Sequence, residues 1–302
     1  MAPLRWMRRR CCVVALVMLV GCGPASTPDA GTPDTGAPDA TLDAGRLTSP
    51  LRIATWNIEN FPRHRDTISS VASVIQEEEL DLVAVQEVVD DLAFGWLDEE
   101  LPDHDVVIAD DPRAFQRLAL IYRRSRVAVS DVDVLFTGDR SAFPRSPLAA
   151  RVEVRRGDDV VFDFTVVVVH LKASIDNESR LRRVAAIEAL DGWMRARVEG
   201  VGDPDIVLLG DFNDNLTDEP SQNVFGPLLD AERYTFLTLP LEASGARTFL
   251  FFDAFLDHVM LTESARQVYG DGTTEILPLD QSLDDYTTRV SDHLPVVVTF
   301  GR

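Results

Sequence analysis

The sequence predicts an α/β protein in which β-sheets are covered by amphipathic helices. Three observations carry that expectation. Short runs rich in Val, Ile and Leu recur along the chain, two longer stretches repeat apolar residues at helical spacing, and the two kinds of segment alternate without any repeat period.

Strands are expected at residues 51–56, 81–85, 118–122, 127–135, 160–169, 206–209, 256–261 and 295–300, each a β-branched or aliphatic run bounded by polar or turn-forming residues. The first helix is expected over residues 66–79, where Ile68, Val71, Ala72 and Ile75 share one stripe. The second is expected over residues 178–198, with Leu181, Val184, Ile187, Leu190 and Met194 facing inward and Arg180, Arg182 and Arg183 facing out. A further apolar run, Phe249-Leu250-Phe251-Phe252, reads as a buried strand rather than an exposed hairpin that would dip into a bilayer.

Ahead of these elements lies a segment of a different kind. Arg5, Arg8, Arg9 and Arg10 precede an apolar run, residues 11–20, that stops at Gly21-Cys22. Ten apolar residues are too few to cross a bilayer as a helix, which needs about 20, so residues 1–21 read as an export signal. Leu19-Val20-Gly21-Cys22 resembles a bacterial lipobox, which implies cleavage before Cys22 and a lipid on that cysteine. Residues 22–49 consist almost wholly of Pro, Asp, Ala, Gly and Thr, a composition that buries too little apolar surface to offset the entropy of ordering. They are expected to form an extended tether between a bacterial membrane, on the periplasmic or outer side, and one globular domain at residues 50–302.

All three cysteines, Cys11, Cys12 and Cys22, lie ahead of that domain, so neither disulfides nor thiol chemistry can serve it. The chain carries a net charge of −21. Setting aside the five arginines and four aspartates before residue 50 leaves −22 on the domain, which repels polyphosphate at long range. Residues 113–197 run against that trend, with 15 Arg and Lys172 against 11 acidic residues, and could make one face basic.

Chemistry-bearing residues gather where the expected strands end. The places are Thr55-Trp56-Asn57-Ile58-Glu59-Asn60, Val85-Gln86-Glu87-Val88, Val169-His170-Leu171-Lys172, Leu209-Gly210-Asp211-Phe212-Asn213-Asp214 and Val290-Ser291-Asp292-His293, with Leu256-Asp257-His258 a relative of the last. Taken singly, each has a bland reading: a polar strand end, a buried structural histidine, or an Asx turn after a glycine. His64 and His104 sit in polar loops, and no role is expected for them.

The order of these segments is what is specific. Asn, Glu, His, Gly-Asp-x-Asn, Asp and Ser-Asp-His, each at the end of a strand, resemble the endonuclease/exonuclease/phosphatase family, its pancreatic-type deoxyribonucleases in particular. The resemblance runs over residues 51–300 and implies a four-layer sandwich, two mixed β-sheets packed face to face with helices on the outer faces. It also implies a metal-dependent hydrolase of phosphodiesters. Glu87 would be the principal ligand of a divalent cation, Mg²⁺ foremost, with Mn²⁺ or Ca²⁺ suiting the same hard oxygens, and Asn57 and Asp292 would complete or support that site. Asp211 would orient or deprotonate the attacking water and Asn213 would hold it or a phosphate oxygen. Asp257 would fix the tautomer of His293, and His293 would contact the scissile phosphate. Arg117 and Lys172 would bind substrate.

His170 bears on the subclass. The family's abasic-site repair enzymes carry another residue type there, whereas its deoxyribonucleases, sphingomyelinases and inositol phosphatases carry histidine. The deoxyribonucleases pair that histidine with an acid just before an arginine, and here the matching dipeptide is Gln116-Arg117. A neutral amide stabilises an imidazolium less than a carboxylate does, so His170 is expected to be a weak general acid. The leading expectation is an exported endonuclease acting on DNA or RNA, with no protein partner and as a monomer. The alternatives are a phospholipid or inositol-phosphate phosphodiesterase, which a membrane anchor would suit, and a binding module without activity.

Overall fold

The computed structural model describes residues 50–200 and 202–301. The expected signal, Cys22 and the tether lie outside the described residues. The strands are β1 (Leu51–Phe61), β2 (Leu82–Val88), β3 (His104–Ile108), β4 (Arg117–Arg123), β5 (Val127–Val134), β6 (Leu148–Arg156), β7 (Asp159–His170), β8 (Ile206–Asp211), β9 (Tyr234–Phe236), β10 (Asp257–Thr262), β11 (Thr273–Ile276) and β12 (Val296–Phe300). They form two six-stranded sheets, ordered β11-β12-β1-β2-β4-β3 and β5-β6-β7-β8-β10-β9.

Both sheets are mixed, because each contains one parallel pair joined by a helical crossover. Helix α1 (Thr67–Glu77) links β1 to β2, and the 22-residue helix running Asn177–Val198 links β7 to β8. Side chains alternate along the strands and so define the layers. Ile53, Leu82, Leu120, Val166, Val168, Leu209 and Val259 fill the space between the sheets. Their neighbours Ala54, Trp56, Val83 and Val85 turn outward onto Val71 and Ile75 of α1, while Val167, Val169 and Leu208 turn onto Ile187, Leu190 and Met194 of the long helix. The expected four-layer sandwich is therefore the fold.

Three expectations need correction. Arg183 does not face out. It is buried and ion-paired with Asp214 at 2.7 Å, and its guanidinium also donates to the carbonyls of Lys172 and Ser174, while Leu181 is the residue left exposed. Phe249-Leu250-Phe251-Phe252 is a turn rather than a strand. Leu250 N donates to the Asp292 carbonyl at 2.9 Å, which holds the run at the domain surface with Phe251 and Phe252 exposed. His104 starts β3 and is buried, its Nε2 lying 3.2 Å from the Leu80 carbonyl, a structural place that still gives it no role in the site. Strands β3, β6, β9 and β11 are additional to those expected. β3, β9 and β11 are only three to five residues long, too short to show alternation, whereas β6 does alternate, Ala150, Val152 and Val154 being buried between Arg151, Glu153 and Arg155.

Candidate active site

The two parallel pairs bring their strand ends to one crevice between the sheets. In the second sheet, register sets His170 opposite Asp211 and Asp211 opposite Asp257. That register requires Gly210: its φ is +145°, and a Cβ there would stand 2.0 Å from the Val169 carbonyl oxygen. In the first sheet the β1–β2 pairing slips between Asn57 and Phe61, and Glu59, Asn60 and Glu87 all take left-handed backbone conformations. The slip turns the Glu87 carboxylate inward, where Asn60 N donates to Oε2 at 3.0 Å and Asn57 Nδ2 lies 3.3 Å from Oε1.

Asn57 is buried and holds two carboxylates at once, since its Nδ2 also donates to Asp211 Oδ2 at 3.0 Å. Its own oxygen is taken by Glu59 N at 3.0 Å. It therefore supports the site by steering Glu87 and Asp211. The other oxygen of Asp211 accepts from Asn213 N at 2.9 Å, and Asn213, itself left-handed, lines the cavity with its amide bonded to the Leu171 carbonyl.

The Ser-Asp-His segment is held in place from the first sheet. Ser291 Oγ donates to the Asn57 carbonyl at 2.5 Å and accepts from His293 N at 2.9 Å. Tyr286 bridges the same loop to β1, its hydroxyl accepting from Trp56 Nε1 and donating to the His293 carbonyl. The His293 ring then spans the sheets: Nδ1 meets Asp257 Oδ2 at 2.7 Å, and Nε2 lies 3.8 Å from Asp211 Oδ2 and 3.9 Å from Asp292 Oδ1.

Burial alone would depress the His293 imidazole, but the carboxylates of Asp257, Asp211 and Asp292 overcome it and raise its pKa to about 10. Asp211 moves up as well, to about 7, because burial disfavours its charge more than His293 and Asn57 favour it. His170 behaves oppositely. Burial, followed by the nearby charges of Arg145 and His293, holds it well below its ordinary value, so it is neutral at physiological pH. Its Nε2 is 3.5 Å from Asp211 Oδ2 and 3.8 Å from Glu87 Oε1, and its Nδ1 has no hydrogen-bond partner among the described residues. Gln116 is not that partner. Its amide bridges Asn60, at 2.9 Å, and Arg145.

Arg145 carries no motif around it and was not anticipated. It reaches the crevice from the β5–β6 loop, which Asp111 fastens by accepting from Arg140 and from Ser146 N. Of the two cations expected to bind substrate, Arg117 is ion-paired with Asp91 at 2.7 Å and Lys172 is turned onto the Ala173 carbonyl, and neither lines the cavity. Arg180 and Arg183 do. Most of the arginines of residues 113–197 are neutralised locally, among them Arg124 by Asp98 and Asp105, Arg126 by Asp81, Arg151 by Asp163 and Arg195 by Asp191.

These groups open into one cavity of about 590 Å³. The carboxylates of Glu87, Asp211 and Asp292 line it, that of Asp257 is bonded to His293, and ligand-type atoms of Asp211, Asp257 and His293 lie within 4.8 Å of one another. Such an excess of hard oxygens suits a divalent cation of the Mg²⁺ kind. Since Asp257 and His293 already engage each other, Glu87 and Asp292 are the better placed to hold it.

The chain matches the model of the Endonuclease/Exonuclease/phosphatase family over residues 54–293. A search of curated proteins finds no match. Among solved structures, a humanized D. rerio TDP2 is 17% identical with a TM-score of 0.62, over 84% of this chain and 100% of that one. The human Nocturnin catalytic domain with bound sulfate is 18% identical, TM-score 0.58, over 84% and 95%. A Bacteroides thetaiotaomicron mannosyl-6-phosphatase is 15% identical, TM-score 0.57, over 83% and 99%. Members of the family are hydrolases that act on phosphate esters with the help of a divalent metal. With its fold, the order of its site residues and a match across nearly the whole globular region all agreeing, this chain belongs to the endonuclease/exonuclease/phosphatase family.

Proposed function

We propose that the protein is a Mg²⁺-dependent phosphodiesterase that cleaves nucleic acid, DNA foremost, outside the cytoplasm and tethered through a lipid on Cys22. The observation that carries the reading is the joining, in one cavity, of the acid–base cluster of Asp211 and His293 with an arginine-lined and partly apolar outer half. A D. rerio TDP2 of the same fold has been solved with single strand DNA product.

When bound by Glu87 and Asp292, the cation supplies charge neutralisation of the phosphate. The chain's own residues do the rest. Asp211, raised to about 7, accepts the proton of the attacking water, which Asn213 positions. His293, kept protonated by Asp257, donates to a phosphate oxygen through Nε2. Arg145 adds a second positive charge, and neutral His170 packs Glu87 and Asp211 into place.

The test is to incubate the full chain with plasmid DNA, RNA, sphingomyelin and inositol phosphates in Mg²⁺ or EDTA. Plasmid nicking that EDTA abolishes is expected. With most arginines ion-paired, Arg145 and Arg180 are cations at the site without a carboxylate ion pair among the described residues, so few phosphates are contacted and the salt slope should be shallow. With two or three phosphates contacted, affinity for polymer should fall about 10- to 40-fold between 50 and 200 mM salt, and a loss of 10³-fold or more would mean a larger basic surface than this. The exposed Phe251 and Phe252 favour a second reading, a lipid phosphodiesterase, which turnover of sphingomyelin without nicking would establish.

For the anchor, Cys22→Ser is expected to move the protein from the membrane to the soluble fraction. Membrane fractionation that survives the substitution would refute lipidation at that residue.

A further inference from the structure

We infer that Phe252, backed by Phe249 and faced across the cavity by Ile175, is a stacking platform for the base of the nucleotide adjoining the scissile phosphate. The inference rests on the nuclease reading and names the part of the substrate that the outer half of the site takes.

An aromatic row begins at the catalytic imidazole. The Phe249 ring lies 5.0 Å from the His293 ring, tilted by 51°, and the Phe252 ring lies 5.8 Å from Phe249, nearly parallel at 27°. The row cannot drift relative to the chemistry, because Phe249 bridges to His293 and Leu250 N bonds to the Asp292 carbonyl. Its far member is 72% exposed although it lines the cavity, and Ile175 on the helix side is fully exposed. Two large apolar side chains left in water at the walls of a cavity with a charged floor find a use in a flat apolar ligand.

The remaining lining identifies that ligand. Arg180, Asn215, Asp218 and Gln222 line the same cavity with charged and amide groups. An acyl chain would desolvate those groups without pairing them, whereas a nucleobase offers an apolar face to Phe252 and polar edges to the rim. A cavity of about 590 Å³ is within the usual range of roughly 300–1,000 Å³ for small-molecule sites and accommodates one nucleotide.

The test compares thymidine 5′-(4-nitrophenyl phosphate) with methyl 4-nitrophenyl phosphate, two diesters that share a leaving group and differ in carrying a nucleoside or a methyl group. The full chain is expected to prefer the first. Phe252→Ala should cut that preference about tenfold in kcat/KM while leaving the methyl ester unchanged, Phe252→Trp should keep it, and Phe252→Leu should fail like alanine. Since Phe252 is exposed, the variants should melt like the parent. An unaltered preference in Phe252→Ala, or full rescue by leucine, overturns the platform. If neither diester is cleaved, the nuclease reading fails, and calorimetry then decides separately: thymidine 5′-monophosphate binding more tightly than ribose 5-phosphate, and losing that advantage in Phe252→Ala, upholds the platform, whereas equal binding overturns it. Sphingomyelin turnover that falls in Phe252→Ala while the thymidine preference stands would assign the aromatic lip to lipid and overturn it as well.

Discussion

His293→Ala is expected to lower kcat by about 10²–10⁴-fold, and added metal should not restore it, because the lost group handles a proton rather than a ligand position. Asp211→Ala should cost as much. The pairing at 2.7 Å makes Asp257 and His293 a unit, so the double variant Asp257→Ala/His293→Ala should be little worse than His293→Ala alone. A pH profile separates their roles. His293 must be protonated to donate, its folded value is raised to about 10, and the carboxylate of Asp257 is the largest cause holding it up. Removing that negative charge destabilises the imidazolium, so its pKa must fall, and Asp257→Asn should move the alkaline limb of kcat to lower pH. An unmoved alkaline limb would show that His293 is not the proton donor. His170→Ala should cost less than His293→Ala, since a buried neutral imidazole with no partner on Nδ1 contributes packing and not charge.

The strands, the two helices and the polar strand ends were legible because they depend on local patterns, whereas the four-layer sandwich came only with the resemblance that the order of those segments carries. Apolar runs mark β1, β2, β7, β8 and β10, and each expected site side chain adjoins one of those runs or the last strand, so strand ends and site residues are found together. What escaped notice depends on distance along the chain. Arg145 lies in a loop without a motif and is aimed by Asp111, 34 positions earlier, through Arg140 and Ser146. Arg183 looks like any solvent-facing helical arginine until Asp214 arrives beneath it. Gln116 was paired with His170 by analogy of position, yet the β1–β2 slip brings Asn60 across to bond it and the β5–β6 loop supplies Arg145 on its other side. A charge count cannot see pairing, which is why the arginine-rich stretch of residues 113–197 promised a basic face that local carboxylates cancel.

Glu87→Gln should raise the Mg²⁺ concentration for half-maximal activity by about 100-fold, with a large part of kcat recovered at saturating metal. The size follows from position. Even groups that merely orient a metal ligand are worth about 10–100-fold in affinity, and an anionic ligand itself should reach the top of that range. Glutamine is the informative replacement, because residue 87 sits at φ 69° in the slip between β1 and β2, and a side chain of equal length keeps an acceptor oxygen in reach of one of its two donors, Asn57 Nδ2 or Asn60 N, while removing the charge. Asp211→Asn gives the contrast: its kcat should stay low at any Mg²⁺ concentration, because its carboxylate serves the water. The competing arrangement, a cation held by Asp211, Asp257 and His293, makes the opposite demand. There the Asp257→Asn variant would show the displaced metal midpoint and Glu87→Gln would not. Titrating activity with Mg²⁺ in both variants, against the parent, decides between them, and a normal midpoint with depressed kcat in Glu87→Gln would remove Glu87 from the metal.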